Sequence, residues 1–385
     1  MMIYLDNCAT TKIRKEVLEK MYDSYNDDFG NPSSLHRLGL KSEKKIKKSR
    51  EIIADYLKVD SKEIFFTSGG TESNNIAIQS IINSNLRKGN HIITTKIEHP
   101  SVLNVMKSYE EKGLKVTYID VDQYGILDME QLENSINEET ILISIIHVNN
   151  EIGTIQDIRR IKELIKKKKS KAHLHLDGVQ SFGKIDFNLK VLGVDTFSFS
   201  GHKVHGPKGI GGLYIRKGLG LNPIVYGGNQ EQGLRSGTEN VQGIIGLGEA
   251  VRILATNDKE ESQHVLGLRE YMVNKLKEKI DHIKINTPLD DNSSSYILNV
   301  SFLYTRGEVL LHYLEEKEIY VSTGSACSSK GTDKSHVLVA TGLSEREIEG
   351  AIRMCFSYET TREDIDYVIE STKDAVEEIR KIMMR

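Results

Sequence analysis

Between residues 60 and 216, seven short β-branched or aromatic runs (EIFFTS, HIITTK, LKVTYID, TILISIIHV, AHLHLD, DTFSFS and GGLYI) alternate with stretches of helical periodicity. That alternation limits the chain to α/β crossover units around a mainly parallel sheet. The helical stretches are amphipathic. Val17, Leu18, Met21, Tyr22 and Tyr25 are expected on one face of the first helix, and Ile158, Ile161, Leu164 and Ile165 on one face of another. From about 241 to 280 the pattern is helical almost without a break, with polar Thr256, Asn257, Asp258 and Lys259 at its middle, and it reads as a long helix connecting to a second domain. Beyond it, IKIN, SYILNVSF and AIRMCFSY read as strands, with helices near 307–317 and 361–384, an α+β pattern suited to a smaller sheet. The predicted division is a large α/β domain over 15–255 and a small α+β domain made of 1–14 and 256–385.

The 385 residues are enough for two such domains at about 150 residues each. With 52 basic and 55 acidic residues the net charge is −3, so no field across the whole protein recruits nucleic acid or an anionic membrane, and any anion must be captured locally. The start, MMIYLDNCATT, lacks a basic and apolar leader, and the most apolar run, Ile141 to Val148, contains a Ser and a His. A cytoplasmic protein without a membrane segment is expected. Three cysteines, Cys8, Cys327 and Cys355, stand far apart with no C-x-x-C pair, which disfavours disulfides and structural zinc. Cys355 lies in an apolar strand pattern and is expected to be buried. Cys8 and Cys355 both read as structural.

Ligands of open α/β sheets bind outside the carboxyl ends of the strands, so residues that directly follow strands carry the information. EIFFTS runs into Gly69, Gly70 and Thr71 and then a helix predicted from Asn74 to Leu86, a seat for phosphate at a positive helix N-terminus. Neither G-x-x-x-x-G-K-[ST] nor G-x-G-x-x-G occurs, which disfavours an ordinary nucleotide cradle. AHLHLD ends in Asp177, followed by Gly178 and Gln180; a carboxylate there caps the next helix or pairs with a cationic ligand nitrogen. DTFSFS ends at Ser200 and leads through Gly201 and His202 to Lys203, inside the small-residue loop VHGPKGIGG, where a lysine is placed for burial and nucleophilic use. A phosphate seat, an acid for a ring nitrogen and an amine for an aldehyde together suit pyridoxal 5′-phosphate. His99, after HIITTK, could stack on the ring face.

Ten ordered motifs then resemble the NifS/IscS-type cysteine desulfurases: YLDNCATT, FGNPSSLHRLG, TSGGTESNN, EHPSV, HVNNEIGT, LDGVQS, SGHKVHGPKGIG, GLRSGTEN, STGSACSS and SHVL, between residue 4 and about 370. The resemblance implies the pyridoxal-phosphate-dependent transferase architecture of fold type I, with a mainly parallel seven-stranded sheet and a smaller α+β domain. It implies that Lys203 carries the cofactor, that Asp177 holds the pyridine nitrogen and Gln180 the ring phenolate oxygen, and that His99 stacks on the ring. Gly70, Thr71, Ser200 and His202 match phosphate-binding positions. Asn150 matches a residue near cofactor and substrate, and Arg353 the clamp for the substrate carboxylate. Thr238, in RSGT, matches a residue sent into the neighbouring subunit's phosphate site, which implies a homodimer with shared active sites. Cys327 matches the persulfide carrier, on a small-residue loop expected to be mobile and exposed. Two places depart from the family pattern: Cys8, where a small or aromatic residue is usual, and the segment from Met354 to Glu359.

The implied activity is removal of sulfur from L-cysteine to give L-alanine and a persulfide on Cys327, passed to acceptor proteins for iron–sulfur cluster assembly or for cofactor or tRNA thiolation. A selenocysteine lyase or β-eliminating lyase on the same fold is the same-class alternative. A non-catalytic iron–sulfur assembly scaffold is the different-class one, which intact Lys203 and Asp177 argue against.

Overall fold

The computed structural model describes residues 2–323 and 334–383. Its strands are β1 (Ile3–Tyr4), β2 (Ile64–Thr67), β3 (His91–Thr95), β4 (Lys115–Ile119), β5 (Thr140–Ile146), β6 (His173–Asp177), β7 (Thr196–Ser200), β8 (Gly211–Ile215), β9 (Ile283–Ile285), β10 (Ile297–Phe302), β11 (Ile319–Tyr320) and β12 (Ala351–Cys355). Seven of them, in the order β2-β8-β7-β6-β5-β3-β4, form one sheet in which only β8 runs against its neighbours. These are the seven runs legible in the sequence, and the mainly parallel α/β class is the observed one.

Strand alternation sorts the apolar residues onto two faces. In β2, Phe65 packs with Ile76 and Ala77 of helix α3, counted after α1 (Lys15–Asp27) and α2 (Arg37–Leu57) and spanning Gly70–Asn85. Ile64 and Phe66 face the other way, into a core shared with Ile53 and Leu57 of α2 and with Leu247 and Val251 of the long helix Val241–Lys279. Farther along the first face, Ile81 and Ile82 of α3 pack with Ile92 of β3 and with Val102 and Met106 of helix α4 (Pro100–Glu111). Helices therefore cover both faces, as a parallel sheet requires.

A second core lies around the antiparallel sheet β12-β10-β9. Leu298, Val300 and Phe302 of β10 pack there with Val265, Met272 and Leu276 of the long helix, with Val368 and Val376 of the helix Arg362–Met383, and with Ile3, Leu5 and Cys8 at the start of the chain. The N-terminal strand β1 pairs in parallel with β11, and Asp6 forms a parallel bridge to Cys355. The polar middle of the long helix does not interrupt it: the helix is continuous for 39 residues.

The first helix departs from expectation. Val17 is wholly buried against Ala250 and Ile253, with Met21 beside it, but Leu18, Tyr22 and Tyr25 are 55%, 70% and 62% exposed. Residues 17, 21 and 24 share the inward face by the i, i+4, i+7 rule, which leaves the aromatic residues pointing outward. Among the described residues no helix is long and apolar enough to cross a membrane.

Candidate active site

The carboxyl ends of β2, β5, β6 and β7 converge on a cavity of about 340 Å³, near the lower end of the about 300–1,000 Å³ usual for small-molecule sites. Its lining includes Gly70, Thr71, His99, Asn150, Asp177, Gln180, Ser200, His202, Lys203 and Arg353, together with Cys8, Asn74 and Ser101.

The turn expected to seat a phosphate lies where β2 passes into α3. The helix begins at Gly70 rather than Asn74, so Gly70 and Thr71 belong to its first turn, whose N–H groups lack intrahelical acceptors. Gly69 turns the chain there with φ 153° and ψ −175°, a conformation open to glycine and strained for other residues. A side chain at Gly70 would bring its Cβ to 2.4 Å from Val179. The Ser200 hydroxyl, at the end of β7, is buried with no hydrogen-bond partner, as a group awaiting an acceptor or donor would be. His202 beside it is held by Thr10 at 3.1 Å, and burial, with Lys203 and Lys208 nearby, lowers its pKa to about 4. It is neutral at pH 7.

Asp177, at the end of β6, is 3% exposed, and both its oxygens accept hydrogen bonds. Oδ2 takes one from Asn74 Nδ2 at 2.8 Å and Oδ1 one from the Val179 N–H at 3.0 Å. Asn74 is fixed in turn by Ser101 Oγ at 2.9 Å and by His175 Nε2 at 3.1 Å, and His175 Nδ1 meets Thr196 Oγ1 at 2.9 Å. Burial lowers the His175 pKa to about 3, so the ring stays neutral. A carboxylate aimed in this way suits a cationic N–H.

His99 caps α4. The Ser101 N–H donates to its Nδ1 at 3.1 Å, so in the neutral ring the proton sits on Nε2. Burial lowers the His99 pKa; Lys203 and His336 act in the same direction and Asp177 opposes. The Ser101 hydroxyl touches both Asn74 Nδ2 and His99 Nδ1, each at 2.9 Å, and thereby joins the acid and the imidazole in one network.

Lys203 ends a 3₁₀ turn, Gly201–Lys203, directly after β7. Its Nζ donates to the carbonyls of Cys8 and of Ala9, the latter at 2.8 Å. Gln180 Nε2 donates to the same Cys8 carbonyl at 3.0 Å. Arg353, on β12, is 5% exposed and pinned by the Asn150 carbonyl at 3.0 Å and Asp6 at 2.8 Å, while its Nε is buried without a partner. Burial opposes its charge, but Cys355, Cys8 and Asp6 more than offset that and raise its pKa.

The Aminotransferase class-V family profile matches residues 3–368. Cysteine desulfurase IscS of Clostridium botulinum is 42% identical over 99% of this chain and 96% of its own length; that of Methanosarcina thermophila is 43% identical over 99% and 93%. Among solved structures, a NifS-like protein superposes with TM-score 0.92 at 41% identity, covering 98% of this chain and all of its own, and SspA in complex with cysteine with TM-score 0.80 at 37% identity, covering 93% and 100%. The chain belongs to the class-V aminotransferases, as a cysteine desulfurase of the NifS/IscS type.

Cysteine desulfurases are in general pyridoxal-phosphate enzymes. One site residue expected for a desulfurase lies elsewhere. Thr238 is exposed and does not line the cavity. Cys327 lies outside the described residues, but the described flanks of its segment are fastened beside the cavity. Ser322 pairs with Arg353 through a backbone bond of 3.1 Å, and Ser335 Oγ donates to Glu151 at 2.5 Å. The sequence reading missed Asn74, Ser101 and Asp6. A signal for Asn74 was present: it stands three positions after Thr71 at the helix start and therefore on the same face. Cys8, read as merely structural, stands in the cavity wall.

Proposed function

We propose that pyridoxal 5′-phosphate occupies this cavity and that the protein uses it to take sulfur from L-cysteine, leaving L-alanine and a persulfide on Cys327. The observation that carries the reading is the convergence of an amine, a buried carboxylate, an imidazole and a helix start with an unpartnered Ser200 hydroxyl on one small cavity. Gly70, Thr71, Ser200 and His202 would hold the phosphate, Asp177 the pyridine N–H, Gln180 the phenolate oxygen, and Lys203 the aldehyde carbon. Once bound, the cofactor supplies an electron sink for the pair left at the substrate Cα.

Arg353 and Asn150 orient the substrate, with the unpartnered Arg353 Nε available to its carboxylate. Lys203 would take the substrate Cα proton at Nζ. His99, with its proton on Nε2, exchanges protons with the substrate thiol. The Cys327 thiolate then attacks the substrate sulfur. A sulfur–sulfur bond forms, the Cβ–S bond breaks, and the pair released to carbon is protonated on the way to alanine. The persulfide passes to acceptor proteins for iron–sulfur cluster assembly or thiolation. The free buried thiols Cys8 and Cys355 accord with a reducing, cytoplasmic setting.

A homodimer with shared sites is part of the same reading. Tyr22, Tyr25, Phe29 and Leu35 are 70%, 62%, 67% and 105% exposed, an apolar area that a monomer leaves in water. Exposed Thr238 would reach the partner's phosphate seat. Purified protein given L-cysteine should yield alanine and protein persulfide in equal amounts. Free sulfide formed at full rate by Cys327→Ala protein, with pyruvate and ammonia in place of alanine, would overturn the nucleophile assignment in favour of a β-eliminating lyase.

A further inference from the structure

Cys8 and Cys355 are distant in sequence and adjacent in space. Cys8 sits in the turn after β1 and Cys355 closes β12. The Cys355 N–H donates to the Leu5 carbonyl at 2.6 Å, and Asn7 Nδ2 donates to the Cys355 carbonyl at 2.8 Å, so the two backbones are locked in register. Within that lock the two thiols are near enough for each to shift the other's ionisation. They are not equivalent. Cys8 forms part of the active-site cavity wall, whereas Cys355 is fully enclosed behind it, packed in the second core.

The charges around the pair are asymmetric as well. Burial opposes ionisation of Cys8, but the neighbouring Cys355 thiol and the cations of Lys184, Arg353 and Lys203 outweigh it. Burial raises the pKa of Cys355, and the neighbouring Cys8 raises it further. Cys8 is thus the more readily ionised of the two thiols, and it is also the one that lines the cavity.

We propose that Cys8 and Cys355 are a redox-modifiable dithiol, closing to a reversible disulfide in the cavity wall when the enzyme meets a peroxide. The Cys8 sulfur attacks one peroxide oxygen; the O–O bond breaks, giving a sulfenic acid on Cys8 and, after protonation, one water. The Cys355 sulfur then attacks Cys8; the S–S bond forms, the S–O bond breaks, and the departing oxygen leaves with the Cys355 proton as the second water. Two thiols lose two electrons, and hydrogen peroxide is reduced to two waters. A small-molecule dithiol reverses the bond by exchange.

The test uses full-length Cys327→Ser protein saturated with cofactor, in which Cys8 and Cys355 are the remaining cysteines of the three. After hydrogen peroxide, denaturation and alkylation, the intact mass should be lower by two hydrogens with no alkyl group added. A peptide map should join the Cys8 and Cys355 fragments, and dithiothreitol should restore two alkylatable thiols. The wild-type protein should give the same joined fragments. Two thiols that stay alkylatable, Cys8 carrying added oxygen without a bond to Cys355, or disulfides only between chains would overturn the proposal. Cys8→Ser, where it folds, should leave Cys355 alkylatable after the same treatment, and loss of that thiol would count against the pairing. The peptide map decides the matter without that variant.

Discussion

Asn74 joins three parts of the cavity through one amide: it donates to Asp177 and to Ser101, and its carbonyl meets His175. Asn74→Ala should leave Asp177 Oδ2 and His175 Nε2 unpaired, at a cost of about 1–3 kcal/mol each, and weaken cofactor binding, read by titrating the apoprotein and following visible absorbance. Unchanged affinity would mean that Asp177 is held well enough by the Val179 N–H alone. Lys203→Ala should fold, because its side chain ends on loop carbonyls rather than in a core, and should lose the borohydride-trappable link to the cofactor. A trapped link surviving at another lysine would show the amine misassigned. The convergence of these residues on one cavity was legible residue by residue, since Asp177 and Ser200 each close a strand and Lys203 follows one. Asp6 was not, because its contact with Arg353 joins positions 347 apart, and no local pattern reports such a pairing.

The link from β2 to α3 depends on one backbone conformation. Gly69→Ala should destabilise the protein by about 1–3 kcal/mol, measured by chemical denaturation, because φ 153° is strained for any residue with a Cβ. The nearest atom to that added Cβ is Ser200 Oγ at 3.7 Å, so crowding adds little, and a neutral substitution would mean that the turn relaxes. The seven large-sheet strands were legible because buried parallel strands are continuous apolar runs bounded by turns. The α1 face was not. Leu18, Tyr22 and Tyr25 satisfy the same periodicity as a core stripe, and periodicity cannot distinguish an apolar face turned inward from one turned outward. We propose that the domain boundary falls inside the long helix, between Leu254, its last residue in the first core, and Val265, its first in the second.

At the scale of the molecule, buried titratable groups set opposing pH dependences. Burial lowers His147 and His205 from 6.5 to about 4 and His175 to about 3, so the unfolded chain binds more protons there, and stability is lost as pH falls below 6.5. Burial raises Glu98 from 4.5 to about 8 and Glu151 to about 7, so the folded chain binds more protons there, and stability is lost as pH rises through those values. Between pH 4.5 and 6.5 these three histidines and His202, also lowered to about 4, outweigh the two glutamates, with His91 and His173 shifted in the same sense. Above 6.5 the loss from the glutamates is opposed by Cys8, whose thiol is lowered from 9 to about 6 and so gains stability as pH rises, and thermal stability should climb to about pH 6.5 and change little beyond it. A melting temperature that rises steadily to pH 9 would contradict this. The proposed homodimer makes a second prediction: mixing Lys203→Ala with Thr238→Ala protomers should restore one working site per hybrid dimer, because both lesions fall in the other. No recovery on mixing would remove Thr238 from the partner's site. The long helix has a consequence of another kind. Its backbone is a strut of about 58 Å common to both cores, so no cut within it leaves two intact halves. A protease nick near Thr256, or a gene split there, should release neither core as a surviving fragment. Permuted chains should tolerate new ends in surface turns but not at the seam between the domains.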